Sequence, residues 1–215
     1  MTQPESEIRS TWRHVAGPHH DGYVDSLLIR YAEPHRRYHT ATHIMLVVRH
    51  LHDMCRAEGS EASPEVLAAA LYHDAIYEPT TDDNEARSAD IAATQLIDVG
   101  WPAVRCDSVA AMVLATAGHL TPGGPDVDDV DTAMLLDADL AILGAEPSAY
   151  QAYVNGVRSE YAHVDDAAWT AGRTLVLHRF LDRPRLFTTG YMHDTYEHRA
   201  RANIEAELAS LRRDG

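Results

Sequence analysis

The 215-residue sequence contains no lysine, only two cysteines and no apolar run near the roughly 20 residues that a membrane-spanning helix needs. We therefore predict no membrane span. Cys55 and Cys106 show neither metal-ligand nor redox spacing, which is typical of proteins in a reducing cytoplasm. The N-terminal residues lack the basic and apolar regions of a secretory signal, so we expect a cytoplasmic protein.

Basic side chains are scarce, because 18 arginines face 33 acidic residues and give a net charge of −15. Such a chain repels polyanions, so we expect neither a nucleic-acid polymer nor a membrane as a partner. A phosphorylated substrate would need a local cation, which is either a metal ion or a cluster of arginines. The 14 histidines stand out, since histidine is the commonest metal ligand.

Helix-start signals recur along the chain, and no convincing alternation of period two predicts a sheet. We therefore predict an all-α protein with a single domain. The segment from Gly118 to Asp131 is rich in Gly, Pro and Asp and is predicted to be an exposed connection or a lid over a pocket. The predicted helices run from Ser63-Pro64 to about Tyr77, from Asp83-Asn84-Glu85 to about Val99, from Pro102 to about Thr116, near 147–162 and 165–182, and from about Met192 to Arg212.

His73 and Asp74 end the apolar run VLAAALYHDAIY, which predicts a helix buried in the middle of the domain. Burying an imidazole and a carboxylate costs several kcal/mol unless something pairs with them. A divalent cation is the natural partner. The pairs His52-Asp53 and His193-Asp194 lie among charged neighbours instead, so we assign them to solvated helix faces.

Two further segments carry ligand-type side chains on apolar helices. In RRYHTATHIMLVV, His39 and His43 are four residues apart and would share one helix face, and a hydrogen-bonded pair of buried histidines is the alternative. In AMLLDADLAILG, Asp137 and Asp139 point to opposite sides of a helix, and periodicity does not choose between them. Three such helices predict a common interior metal site.

The order His, His-Asp, Asp resembles the signature of the HD-domain superfamily, and is most similar to bacterial predicted metal-dependent phosphohydrolases. The resemblance covers nearly the whole chain through YHTATH, LYHDAIYEP, DNEARSA, LDADLAILG, VRSEYAHV and the closing residues Glu197, Arg201 and Asn203. It implies a single HD-type helical bundle with a central metal site. The metal-binding core would span about 36–143, and C-terminal helices at 147–212 would pack on it.

The resemblance also implies the site and the reaction. Metal-activated water would hydrolyse a small phosphate ester, for which a nucleotide is one choice, and His39 would protonate the leaving oxygen. The cofactor would be one divalent ion (Mn, Fe, Co, Ni, Zn or Mg), with a second left open because Ala-Gly-His replaces the expected Lys-His-His at His119. The implied residues are the ligands His43, His73, Asp74 and Asp139, the catalytic His39 and Glu85, and Arg36, Arg37, His119 and Arg158 for the substrate.

Two other functions remain open at this stage. A di-iron HD-type oxygenase would need additional ligands, for which His119 and Glu85 are the candidates. A non-catalytic module that senses a nucleotide would keep the fold without the reaction. The tyrosines Tyr150, Tyr153 and Tyr161 would suit either a homodimer interface or packing inside the bundle.

Overall fold

The computed structural model describes residues 2–120 and 129–214, in which all regular secondary structure is helical and no β-strand occurs. This confirms the predicted all-α class. Two short 3₁₀-helices, Thr116–Leu120 and Ala141–Gly144, adjoin the α-helices. The α-helices are α1 (Gln3–Ala16), α2 (Asp21–Tyr31), α3 (Ala41–Ala57), α4 (Pro64–Tyr72), α5 (Asn84–Asp98), α6 (Ala103–Ala115), α7 (Val130–Leu140), α8 (Pro147–Glu160), α9 (Asp166–Leu181) and α10 (Gly190–Asp214).

Capping residues start the helices where the sequence predicts. The Ser63 hydroxyl accepts a hydrogen bond from the Val66 N–H at 3.1 Å, and Pro64 occupies the first position of α4. The Asp165 carboxylate caps α9 in the same way, at 2.9 Å from the Ala168 nitrogen. Of the predicted loop from Gly118 to Asp131, the structure places residues 118–120 in the first 3₁₀-helix and residues 130–131 in α7, and residues 121–128 lie outside the described residues.

Two predicted helix boundaries are wrong. Helix α4 ends at Tyr72 and not near Tyr77, because the Ile76 N–H donates to the Ser88 hydroxyl at 2.9 Å and not to the Tyr72 carbonyl, as a longer helix would require. The Ala75 N–H takes that carbonyl instead at 2.8 Å, and the Arg36 guanidinium binds the carbonyl oxygens of Asp74 and Ala75 at 2.8 and 3.2 Å. Helix α3 begins at Ala41, so His39 precedes the helix and does not share a helix face with His43.

Helix α4 lies at the centre of the fold. Residues 66–72 are at most 2% exposed, and α4 packs against α1, α3, α5, α6 and α7. Its three alanines, at positions 68–70, allow neighbouring helices to approach closely. One connected cluster of buried apolar side chains draws on all ten α-helices. The His-Asp pair that follows α4 is therefore placed in the interior.

Helix α10 closes the bundle against the end of α7. The Asn203 amide donates to the carbonyl oxygens of Leu143 and Ala145 at 2.8 and 2.9 Å. Gly144 lies so close to α10 that a Cβ at this position would stand 2.6 Å from the Tyr196 Cβ. The C-terminal helices thus fix the position of α7. No helix among the described residues has both the length and the apolar character that crossing a membrane requires.

Candidate metal centre

Three elements bring ligand-type side chains to one buried point. His43 lies in the first turn of α3, His73 directly follows α4, and Asp139 lies near the end of α7. His43 and His73 are 3% and 2% exposed, and the Asp139 side chain is 17% exposed. These three residues form the one group of potential metal ligands found among the described residues.

The ligand atoms are spaced as they would be around one cation. The His43 Nε2 atom is 3.0 Å from Asp139 Oδ1 and 3.2 Å from His73 Nε2, and His73 Nε2 is 3.5 Å from Asp139 Oδ1. Bonds of about 2.1 Å to one metal place neighbouring ligands about 3.0 Å apart in an octahedron and about 3.4 Å apart in a tetrahedron. The observed separations span this interval.

Asp74 belongs to the same cluster, although its backbone has left the helix. Its Oδ2 atom is 3.4 Å from His43 Nε2 and 3.3 Å from His73 Nε2. That oxygen is buried and has no hydrogen-bond donor aligned with it. A buried carboxylate oxygen without a donor is costly, and a cation at this point would bind it. The orphaned oxygen and the mixed donor set therefore fit a divalent metal.

The hydrogen bond that orients His73 also fits metal binding. Its Nδ1 atom lies 3.0 Å from the carbonyl oxygen of Ala70, so Nδ1 carries the proton that it donates. The lone pair of the neutral ring is then on Nε2, which faces the cluster. Metal-binding histidines are commonly held in this manner by a backbone carbonyl.

Electrostatics keep both aspartates of the cluster ionised. Burial alone would raise the pKa of Asp139, but the positive charge that His73 carries when both its nitrogens are protonated, as they are when no metal takes the lone pair, and hydrogen bonds from His119 and His43 hold that pKa well below its usual range. Burial opposes ionisation of Asp74 in the same way, and His73 and His39 lower its pKa well below the ordinary value. Two carboxylates are thus available as anionic ligands.

Asp137, the alternative to Asp139, binds elsewhere. Its Oδ2 accepts hydrogen bonds from the Thr189 N–H and hydroxyl, both at 2.7 Å, and its Oδ1 accepts one from the Thr188 N–H at 2.9 Å. Asp137 therefore anchors the start of α10. The structure places Asp139 in the ligand cluster, as the resemblance implies.

His39 is held next to the cluster by a carboxylate to which sequence reasoning assigned no role. Its Nδ1 atom lies 2.7 Å from Glu160 Oε2, while Glu160 Oε1 accepts hydrogen bonds from the backbone N–H groups of residues 37, 38 and 39 at 2.7, 2.8 and 3.0 Å. The Tyr77 hydroxyl donates to Oε2 at 3.0 Å, and the Tyr77 ring stacks on His39. Five donors thus converge on one buried carboxylate.

This arrangement determines which nitrogen of His39 is available. Burial raises the pKa of Glu160, but the hydrogen bond and charge of His39 and the backbone donors lower it to about 2, so Glu160 stays anionic. The anion accepts a hydrogen bond from Nδ1–H, which leaves Nε2 as the nitrogen that can exchange a proton with a ligand. The available signal was helical spacing, because Glu160 lies seven residues after Tyr153 and three after Val157, on the same face of α8.

His119 reaches the cluster from the 3₁₀-helix Thr116–Leu120. Its Nε2 atom is 2.9 Å from Asp139 Oδ2, the oxygen on the far side from His43. Its Nδ1 atom is buried without a hydrogen-bond partner, and the Arg183 guanidinium contacts its backbone carbonyl. Glu85 is in the first turn of α5 and does not line the cavity beside Asp139.

The three predicted substrate arginines all have protein partners. Arg36 has a fully buried side chain bound to Glu33 and to backbone carbonyls, so it stabilises the turn after α4. Arg37 is exposed and donates to the Pro34 carbonyl at 2.6 Å. Arg158 donates to the carbonyls of Tyr161 and Val164 and closes the turn between α8 and α9. None of them lines the cavity beside the cluster, and their predicted contact with substrate stays a prediction.

A cavity of about 440 Å³ opens from the cluster between α8 and α9. His39, His119 and Asp139 form its inner wall, and Tyr153 and Tyr161 are among the aromatic side chains that line the remainder. Tyr150 is buried behind them at 4% exposure. The tyrosines considered for a dimer interface therefore pack inside the bundle or face this cavity.

Comparisons of the chain with protein-family models, with curated proteins and with solved structures found no significant match. The geometry of the cluster is thus the basis for any assignment of function.

Proposed function

We propose that this protein is a metal-dependent phosphohydrolase of the HD type that hydrolyses a small phosphate ester. One observation carries the proposal. Two imidazole nitrogens and two carboxylate oxygens meet at a buried point beside a cavity, and each nitrogen lies 3.0 to 3.5 Å from each oxygen. Histidine with carboxylate is a donor set that Mn, Fe, Co, Ni and Zn all accept.

The chemistry of the bound ion and that of the chain are complementary. His43, His73, Asp74 and Asp139 would hold a divalent cation, which would neutralise phosphoryl charge and lower the pKa of water near it. His39, with Nδ1 fixed on Glu160, presents Nε2 at the cavity wall and donates its proton to the departing alkoxide oxygen. His119 holds the outer oxygen of Asp139, which keeps the other oxygen directed at the two histidines.

The first experiment measures metal content and hydrolysis together. We expect protein purified anaerobically to bind about one divalent ion per chain, by elemental analysis. With Mn, Co, Ni, Mg or Fe it should release phosphate from members of a panel of phosphomonoesters, nucleotides and cyclic dinucleotides. The matched variants are His73→Ala, which removes a ligand, and His52→Ala, which removes an exposed histidine on α3.

The outcomes separate the rival functions. Loss of metal and activity in His73→Ala, with both retained in His52→Ala, supports the proposal. Two irons per chain without phosphatase activity would favour an oxygenase. Stoichiometric metal with no hydrolysis across the panel would contradict the phosphohydrolase and favour a binding module.

A further inference from the structure

The walls of the cavity beside the metal cluster differ sharply in chemistry. The inner wall carries His39, His119 and Asp139. The outer part is aromatic and aliphatic. It is formed by side chains of and next to α8 and α9, with Tyr77 from the segment after α4: Val157 of α8, Tyr161 directly after α8, and Trp169 and Phe180 of α9. A phosphate at the cluster would therefore have an apolar space between itself and solvent. The cavity volume of about 440 Å³ lies within the range of small-molecule binding sites.

Positive charge is almost absent from this cavity. Among its described lining residues, Arg173 is the one with a permanent positive charge. Glu207 neutralises it, with Oε1 2.7 Å from Nε and Oε2 3.1 Å from Nη2, and Arg173 Nη1 donates to the Tyr153 hydroxyl at 3.1 Å. A second phosphate group placed here would be desolvated without a counter-charge, which is strongly unfavourable.

We propose that this cavity selects a phosphate ester with a single phosphate and an uncharged aromatic group. The inference rests on the proposed phosphohydrolase function and adds the substrate class to it. The phosphate lies against the metal cluster, and the aromatic group lies between α8 and α9. Flat rings match this lining because they can stack on or meet the edges of its aromatic side chains.

Two matched pairs of substrates test the selection. Naphthylmethyl phosphate and methyl phosphate both release an alkoxide but differ in the aromatic group, and we expect a kcat/KM on the order of 100-fold higher for the former. Adenosine 5′-monophosphate and adenosine 5′-diphosphate share their aromatic part but differ in charge. We expect the diphosphate to be the poorer substrate by roughly 10-fold or more.

Gly172 provides a way to block the cavity without touching the cluster. It lines the cavity on α9, is exposed, and has open space where a Cβ would stand. Gly172→Leu should lower kcat/KM for naphthylmethyl phosphate far more than for methyl phosphate, so that the preference for the aromatic ester is lost. Gly22→Leu adds the same side chain to exposed α2, where space is also open, and is the control. Ala168→Trp, at an exposed lining position, is a second independent block.

Calorimetry with naphthylmethylphosphonate, which cannot be hydrolysed, gives a readout besides activity. We expect the metal-loaded protein to bind it and both blocking variants to weaken binding by about 10-fold or more. Equal binding by the blocked variants, no binding by the unmodified protein, or equal turnover within either substrate pair would overturn the inference. If the phosphonate binds and is blocked but no ester is hydrolysed, the proposed function fails while the cavity assignment stands.

Discussion

Replacing Glu160 with glutamine tests whether the Glu160 carboxylate holds His39 in its orientation beside the cluster. Glutamine has nearly the same shape, but one of its terminal atoms is an amide nitrogen that donates and does not accept. If its oxygen keeps the three backbone N–H groups of residues 37–39, its nitrogen faces the donors His39 Nδ1 and the Tyr77 hydroxyl. His39 must then change tautomer or turn away.

The magnitude follows from the pKa of Glu160. Its fall from an ordinary value of 4.5 to about 2 corresponds to about 3 kcal/mol of folding stability from the ionised group. Because the folded-state pKa is depressed, this contribution is complete above about pH 5 and is lost as the pH falls towards 2. Relative to its value at neutral pH, the stability gap between the native chain and Glu160→Gln should shrink by about 1 kcal/mol at pH 4 and about 2 kcal/mol at pH 3.

Urea unfolding followed by circular dichroism at pH 7, 4 and 3 measures this gap. The control is Glu205→Gln, an exposed glutamate on α10, which should change stability by less than about 0.5 kcal/mol. A Glu160→Gln protein as stable as the native chain at pH 7, or a gap that does not narrow with acid, would refute the reasoning. If His39 is the acid, kcat/KM should also fall by about 100-fold or more.

Three other perturbations have definite expected outcomes. Metal at about 100 times its Kd should add about 2.7 kcal/mol of stability and raise Tm by about 5 to 10 °C in differential scanning calorimetry, and a chelator or His73→Ala should remove that rise. Gly144→Ala should destabilise by about 1 to 3 kcal/mol in urea titrations, because the added Cβ meets Tyr196 at 2.6 Å, whereas Gly172→Ala has open space and should not destabilise. Asp137→Ala should lower the free energy of unfolding by about 1 to 3 kcal/mol, because the N–H groups of Thr188 and Thr189 before α10 lose their acceptor, and metal content should stay unchanged. Loss of metal by a folded Asp137→Ala protein would instead indicate that Asp137 is a ligand.

Local sequence signals were sufficient to predict where helices start but not where α4 ends. Proline and the caps Ser63 and Asp165 predicted starts that the structure confirms. The predicted end of α4 was wrong because its cause is distant: Ser88, 12 residues after Ile76, accepts the hydrogen bond from the Ile76 N–H that would continue the helix. Periodicity within an apolar run carries no information about a partner so far away in the chain.

The ligand cluster was more predictable than its surroundings. Burial of His73 and Asp74 in an apolar segment indicated a cation from the residues alone, whereas Asp139 was separated from Asp137 by resemblance. Glu160 received no role, since a single glutamate in a helix is usually a solvated residue. The three candidate arginines were selected by their proximity in sequence to the motifs, and the structure gives each of them a structural partner.

The large sequence separation between Glu160 and His39 has a consequence for the order in which the residues of the site are synthesised. Chains are synthesised from the N-terminus, and Glu160 is separated from His39 by 121 residues. A nascent chain therefore contains all four candidate ligands once Asp139 has been made, before the carboxylate that orients His39 exists. The donor set of the cluster is thus synthesised before the group that fixes the orientation of His39.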